Sequence, residues 1–155
     1  FWLSEFKGVE PDPRLIFILQ WLRDTIAWPI TITDSTRTPR EHIATYKGLE
    51  LDGKIKTKGN GLGDRDILDC IPWGSRHLPI FGNPSLRAID LACTGYTGKG
   101  LRDLVFECIN SNEYKIAMEC KGYRVSELYV GVGTGNTFIH LDIDRKQNTE
   151  WGYGY

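Results

Sequence analysis

The 155-residue chain lacks an excess of either charge: 19 Lys and Arg stand against 20 Asp and Glu, a formal charge of −1. A dedicated nucleic-acid binder needs a basic excess to displace counterions, so that class is excluded. Long apolar runs are missing as well. None approaches the ~20 residues that cross a bilayer, which excludes a membrane-spanning helix. There is no internal repeat and no low-complexity linker, so residues 1–155 read as one domain, long enough to bury a core without disulfides. With 41% apolar and 25% charged residues, wholesale disorder is excluded too.

Cysteine is scarce: Cys70, Cys93, Cys108 and Cys120 include no Cys-x-x-Cys pair, which argues against a zinc ribbon or a thioredoxin-type site. Cys108 continues an apolar helical stripe and Cys120 an apolar strand face, which suits buried thiols acting as small hydrophobes. One or two disulfides in an oxidising compartment stay open as the alternative.

Periodicity then supplies the elements. Asp12-Pro13 has the chemistry of a helix start, and Leu15, Ile18, Leu19, Leu22 and Ile26 follow helical spacing until Pro29. Ile30 to Thr33 alternates as a strand, and Thr38-Pro39 begins a second helix through about Tyr46. From about 47 to 74 the chain is rich in glycine and lysine without sustained periodicity, which reads as a long loop insertion on the surface. Arg87 to Cys93 alternates as a strand, and Leu101, Leu104, Val105 and Cys108 mark a helix. Tyr114, Ile116, Met118 and Cys120 alternate with polar residues as a third strand. Leu128, Val130 and Val132 predict a fourth strand and Thr137 to Asp144 a fifth, joined through the hairpin signal Gly133-Thr134-Gly135-Asn136. The fold class expected is α+β, with a mostly antiparallel sheet and helices packed on one face.

Three histidines are too few to scatter, and two sit in suggestive places. In the last strand, Phe138, His140, Asp142 and Asp144 share one face while Ile139, Leu141 and Ile143 take the core face. His140 and Asp142 then stand side by side, roughly 7 Å apart along the strand. Asp90 leaves the packed face of its own strand in the same way, and His77 precedes that strand. Two imidazoles and a carboxylate suit Zn²⁺ with an open fourth position for water. By pattern alone such groups are more often solvated or hydrogen-bonded than metal-bound.

The ordered segments Ser75-Arg76-His77, Arg87-Ala88-Ile89-Asp90 and Phe138-Ile139-His140-Leu141-Asp142 resemble the metal motifs of the zinc D-Ala-D-Ala carboxypeptidases and related peptidoglycan peptidases, with their Hedgehog/DD-peptidase fold. Leu3 to Phe6, Ile32 to His42 and Glu150 to Tyr153 resemble further segments of that family in the right order. The resemblance implies zinc held by His77, Asp90 and His140, and Arg37 facing the scissile region, where a planar fork of fixed charge suits a carboxylate or an oxyanion. It implies that Ser75 and Trp151 border the substrate, that the partners are peptidoglycan peptides, and that the protein acts in the bacterial envelope, as a secreted protein or in phage lysis.

Two departures from the family pattern matter. Leu86 stands where the family has glycine, and twelve residues, more than usual, separate His77 from Asp90. His42, which the helical pattern places on a polar face, is the alternative ligand to His77. Thr137 occupies the position three before His140 where several relatives carry a glutamate. Asp142 is then the expected general base, with Glu127 the second candidate and a hydrogen bond to an imidazole its competing role. A non-catalytic zinc-containing binding module for cell wall or protein on the same fold is the alternative function. A sugar-binding surface built on Trp151, Tyr153 and Tyr155 is a third.

Overall fold

The computed structural model describes residues 3–51, 75–78 and 85–155. Helix α1 (Pro13–Thr25) starts as its sequence dictates: the Arg14 N–H donates to the Asp12 carboxylate at 2.9 Å, and Pro13 fills the first position. Leu15, Ile18, Leu19 and Leu22 are fully buried, each worth about 1.5–3 kcal/mol when withdrawn from water. Helix α2 (Pro39–Leu51) opens on a reciprocal cap. The Thr38 N–H donates to Glu41 at 2.7 Å and the Glu41 N–H donates to the Thr38 hydroxyl at 3.2 Å. This helix runs past the expected end at Tyr46, so 47–51 of the expected insertion is helical. The rest of that insertion, with Cys70, lies outside the described residues.

Five strands form one sheet: β1 (Ile30–Asp34), β2 (Ala88–Cys93), β3 (Gly131–Thr134), β4 (Phe138–Asp142) and β5 (Thr149–Gly152), in the order β1-β2-β4-β3-β5. β1 with β2, β2 with β4, and β3 with β4 run antiparallel. β5 was not expected as a strand, and it pairs parallel with β3, so the sheet is mixed. The fifth expected strand is shorter than Thr137 to Asp144, because Asp144 leaves the ladder with φ 64°. Arg14 holds that exit, donating to Asp144 at 3.0 Å and to the Glu127 carbonyl at 2.7 Å.

The segment expected as a third strand is a helix. α3 (Gly98–Asn110) and α4 (Asn112–Cys120) are separated only by Ser111, whose hydroxyl caps α4 by accepting from the Tyr114 N–H at 3.2 Å. Residues four apart share a face in a strand and in a helix alike, so Tyr114 and Met118, both fully buried, satisfy either period. Ile116 decides between them: it is 60% exposed, where a strand would have buried it. Cys120 is exposed for the same reason and is no part of an apolar face, whereas Cys93 and Cys108 are buried free thiols.

α1, α3 and α4 pack together on one side of the sheet, with α3 against β2, β3 and β4. Ile89 and Leu91 of β2 meet Leu141 and Ile139 of β4 on that face, and all four are fully buried. Gly98 allows the approach: a Cβ there would stand 2.0 Å from the Gly135 carbonyl oxygen and 2.5 Å from that of Phe138. The opposite face of β2 and β4 therefore carries Asp90, His140 and Asp142 away from the helices.

Candidate metal centre

One row of the sheet organises the site. Asp34 of β1 stands opposite Asp90 of β2, Asp90 opposite His140 of β4, His140 opposite Gly133 of β3, and Gly133 opposite Trp151 of β5. A register shift between Ile32 and Asp34 brings the first of these pairs together. Two carboxylates directly across a ladder repel. Arg37 relieves the pair: its Nε donates to Asp34 at 2.5 Å and its guanidinium lies 3.6 Å from Asp90. At the other end of the row Gly133 has no side chain, and the Trp151 ring comes within 5.5 Å of the His140 ring.

His77 reaches this row from the segment 75–78. Its Nδ1 lies 2.5 Å from the Ser35 carbonyl oxygen, and its own carbonyl accepts from the Arg37 N–H at 2.8 Å. A carbonyl can only accept, so Nδ1 carries the proton and Nε2 is left with its lone pair. His140 has a carboxylate at each ring nitrogen: Nε2 lies 2.9 Å from Asp142, which also accepts from Arg145, and Nδ1 lies 2.8 Å from Asp90. With Nε2 donating to Asp142, Nδ1 is the nitrogen that a metal ion beside Asp90 would take in place of a proton.

Three electron-pair donors consequently converge. His77 Nε2 is 3.0 Å from His140 Nδ1 and 3.2 Å from Asp90 Oδ1, and His140 Nδ1 is 2.8 Å from the same oxygen. A tetrahedral ion with ~2.0 Å bonds sets its ligand atoms roughly 3.3 Å apart, close to this triangle. A carboxylate and two imidazole nitrogens packed this closely call for a shared cation, so His77, Asp90 and His140 form a group that can hold a metal ion. The second ring nitrogen of each imidazole is bound to a carbonyl or carboxylate, the arrangement that fixes metal-ligating histidines.

A proton on His140 Nδ1 competes for the same place. Burial pushes the Asp90 carboxyl up, but its contacts with the His140 and His77 imidazoles outweigh it and hold the group well below the usual carboxylate range. Burial pushes His140 down, and its bonds to Asp142 and Asp90 reverse this and raise it above the ordinary histidine value. Asp142 is raised by burial and lowered further by His140 and Arg145, so it stays ionised.

The leading site residues expected from the sequence all border one cavity of about 420 Å³: Arg37, Ser75, His77, Asp90, His140, Asp142 and Trp151. Ser75 touches the His77 backbone N–H at 3.4 Å, while the imidazole itself is steered by Ser35. Asp142 sits behind His140, with both oxygens engaged by His140 and Arg145. His42 does not lie on a polar face: it is fully buried in α2, 3.4 Å from Arg37 and edge-on to the Tyr46 ring. Glu127 belongs to a 3-10 turn (Val125–Glu127), where it accepts from the Arg124 N–H at 2.7 Å, and does not line the cavity. Sequence reasoning missed the carbonyl of Ser35, which no side-chain pattern announces. It also missed Asp34 and Arg145, whose signal was spacing: each lies three residues from Arg37 or Asp142, its partner.

The remaining wall is aromatic. Trp151, Tyr153 and Tyr155 alternate with glycine along and beyond β5, and Tyr153 and Tyr155 lie 5.5 and 6.1 Å from the Phe138 ring. Burial pushes the Tyr153 hydroxyl up to about 12, so it remains a proton-bearing group. Comparison with protein families, curated proteins and solved structures finds no match to this chain.

Proposed function

We propose that the chain is a zinc-dependent peptidase that hydrolyses a peptide bond in bacterial peptidoglycan stem peptides, on a Hedgehog/DD-peptidase-like fold. It would act in the bacterial envelope, as a secreted protein or in phage lysis. The observation that carries this reading is the donor triangle, with one nitrogen of each imidazole held by Ser35 or Asp142 so that the other faces Asp90. The order of the segments around His77, Asp90 and His140 supports it as well. Zinc, when bound, supplies a water acidified to a pKa of about 7 and polarises the carbonyl under attack.

The chain's own residues divide the remaining work. Arg37, half-buried beside Asp90, presents a guanidinium to a substrate carboxylate or to developing negative charge. Asp142 holds the His140 Nε2 proton and so keeps Nδ1 free as a donor. The Tyr153 hydroxyl lines the cavity and is protonated at neutral pH, so it would donate to a leaving amine.

A second reading has its own observation. Among the described residues lining the cavity the carboxylates are Asp90 and Asp142, and both are engaged, which leaves no carboxylate free to accept a proton. With Thr137 in place of a glutamate, this favours a zinc-containing binding module. Incubating the zinc-loaded protein with purified cell-wall peptides, followed by mass analysis, separates the two. Release of a terminal alanine means exo-cleavage and split cross-links mean endo-cleavage; intact peptides with full zinc loading leave the binding module.

A further inference from the structure

The flank of the cavity beyond His140 carries more positive charge than its own carboxylates neutralise. Asp142 faces two guanidinium groups. Arg145 grips it through Nε at 2.5 Å and through a terminal nitrogen, and Arg76 Nε lies 3.8 Å from it, too far for a hydrogen bond. The Arg76 Nε–H is buried without an acceptor, although another of its nitrogens donates to the Asp144 carbonyl at 2.9 Å. A buried donor without a partner is unfavourable.

The sequence makes room for this cluster. Gly131 stands opposite Asp142 on β3, and a Cβ there would meet Arg145 Nε and Asp142 Oδ1 at 2.6 Å each. Arg145 is then steadied from the cavity side by the Trp151 ring, 5.1 Å away. Arg37 lies at the other end of the site, against Asp90. Because His140 touches Asp90 through Nδ1 and Asp142 through Nε2, the two arginine groups stand at opposite edges of the same imidazole. With a divalent ion in the donor triangle, three lining arginines face two lining aspartates, and the cavity becomes strongly electropositive.

We infer that Arg76 and Arg145 form a second anion-recognition point across the donor triangle from Arg37, so that the pocket takes peptides bearing two carboxylates. One is the carboxylate met by Arg37, and the other lies on the far side of the metal. That the ligand is a peptide rests on the peptidase reading, and the second anion on the charge layout alone. Arginine suits the task because its fork is fixed, its charge does not titrate, and it stacks on Trp151 without losing donors.

The test uses zinc-loaded protein and short peptides with a free C-terminal carboxylate, in pairs that differ by Glu against Gln at each of the next three positions. Calorimetry measures binding, and mass analysis of the same samples measures cleavage. The Glu peptide of at least one pair should bind about tenfold tighter or more, as a charge-assisted contact allows. Arg76→Met should abolish that preference with zinc content unchanged, while amidating the C-terminus still weakens binding. Arg145→Lys, which keeps the charge and loses the fork, should reduce the preference in the same direction. Equal binding of Glu and Gln peptides at every position overturns the inference, as does a preference that survives both substitutions. Tighter Glu binding without cleavage upholds this site and defeats the peptidase reading; equal affinity with cleavage does the reverse.

Discussion

His140 is held at both ring nitrogens, and the two contacts serve different ends. Nδ1 faces His77 and Asp90 inside the donor triangle, while Nε2 donates to Asp142 outside it. Asp142→Asn preserves size but loses the charge that holds the Nε2 proton and the Arg145 fork. Zinc affinity, read by competition with a chelator, should fall about 10–100-fold with the secondary structure unchanged. Unchanged affinity with a slower reaction would return the role of general base to Asp142. Arg37→Lys keeps a cation beside Asp34 and Asp90 and forfeits the planar fork. Turnover of a peptide with a free carboxylate should drop roughly 10–100-fold, the worth of a charge-assisted bond, with zinc content retained. Near-normal turnover would make Arg37 a brace for Asp34 and nothing more.

Among the elements, the sharpest constraint is the seat of α3 on the β3–β4 turn. Gly98→Ala pushes a methyl group against two backbone oxygens, neither of which can retreat without lifting the helix from the sheet. Denaturant unfolding should show a loss of at least about 1–3 kcal/mol, the cost of overpacking. The start of α2 makes a pH-dependent contribution. Hydrogen bonds from Thr38 lower the exposed Glu41 carboxyl to about 2 from an ordinary 4.5. A carboxyl depressed on folding adds stability above its unfolded value and surrenders it as pH falls through the folded one. Wild type should therefore exceed Glu41→Gln in denaturant midpoint at neutral pH, with the gap closing between about 4.5 and about 2. A gap that persists in acid would contradict the capping role. Most elements were legible because cap residues and periodicity agreed, as at Asp12-Pro13 and in β4. α4 was not, since Tyr114 and Met118 fit both periods and only the exposure of Ile116 separates them. β5 was not either, because a parallel edge strand four residues long carries too little pattern to be read.

For the molecule as a whole, three helices on one sheet face leave the other face of β2 and β4 to carry chemistry. That division was readable from alternation: Ile139 and Leu141 went to the core, His140 and Asp142 away from it. The cross-strand row that joins Asp34, Asp90, His140, Gly133 and Trp151 was not readable, because register depends on the bulge in β1 and on β5. Nor could alternation show that His77 is steered by a main-chain carbonyl, or that His42 is buried behind Arg37. The central claim is that three side chains from separate parts of the chain close on one metal ion. Metal analysis and zinc titration of the purified protein test it most directly. The account predicts about one zinc per chain, lost in His77→Ala and in His140→Ala and retained in His42→Ala. Zinc retained by the His77 or His140 variant, or lost from the His42 variant alone, would contradict it.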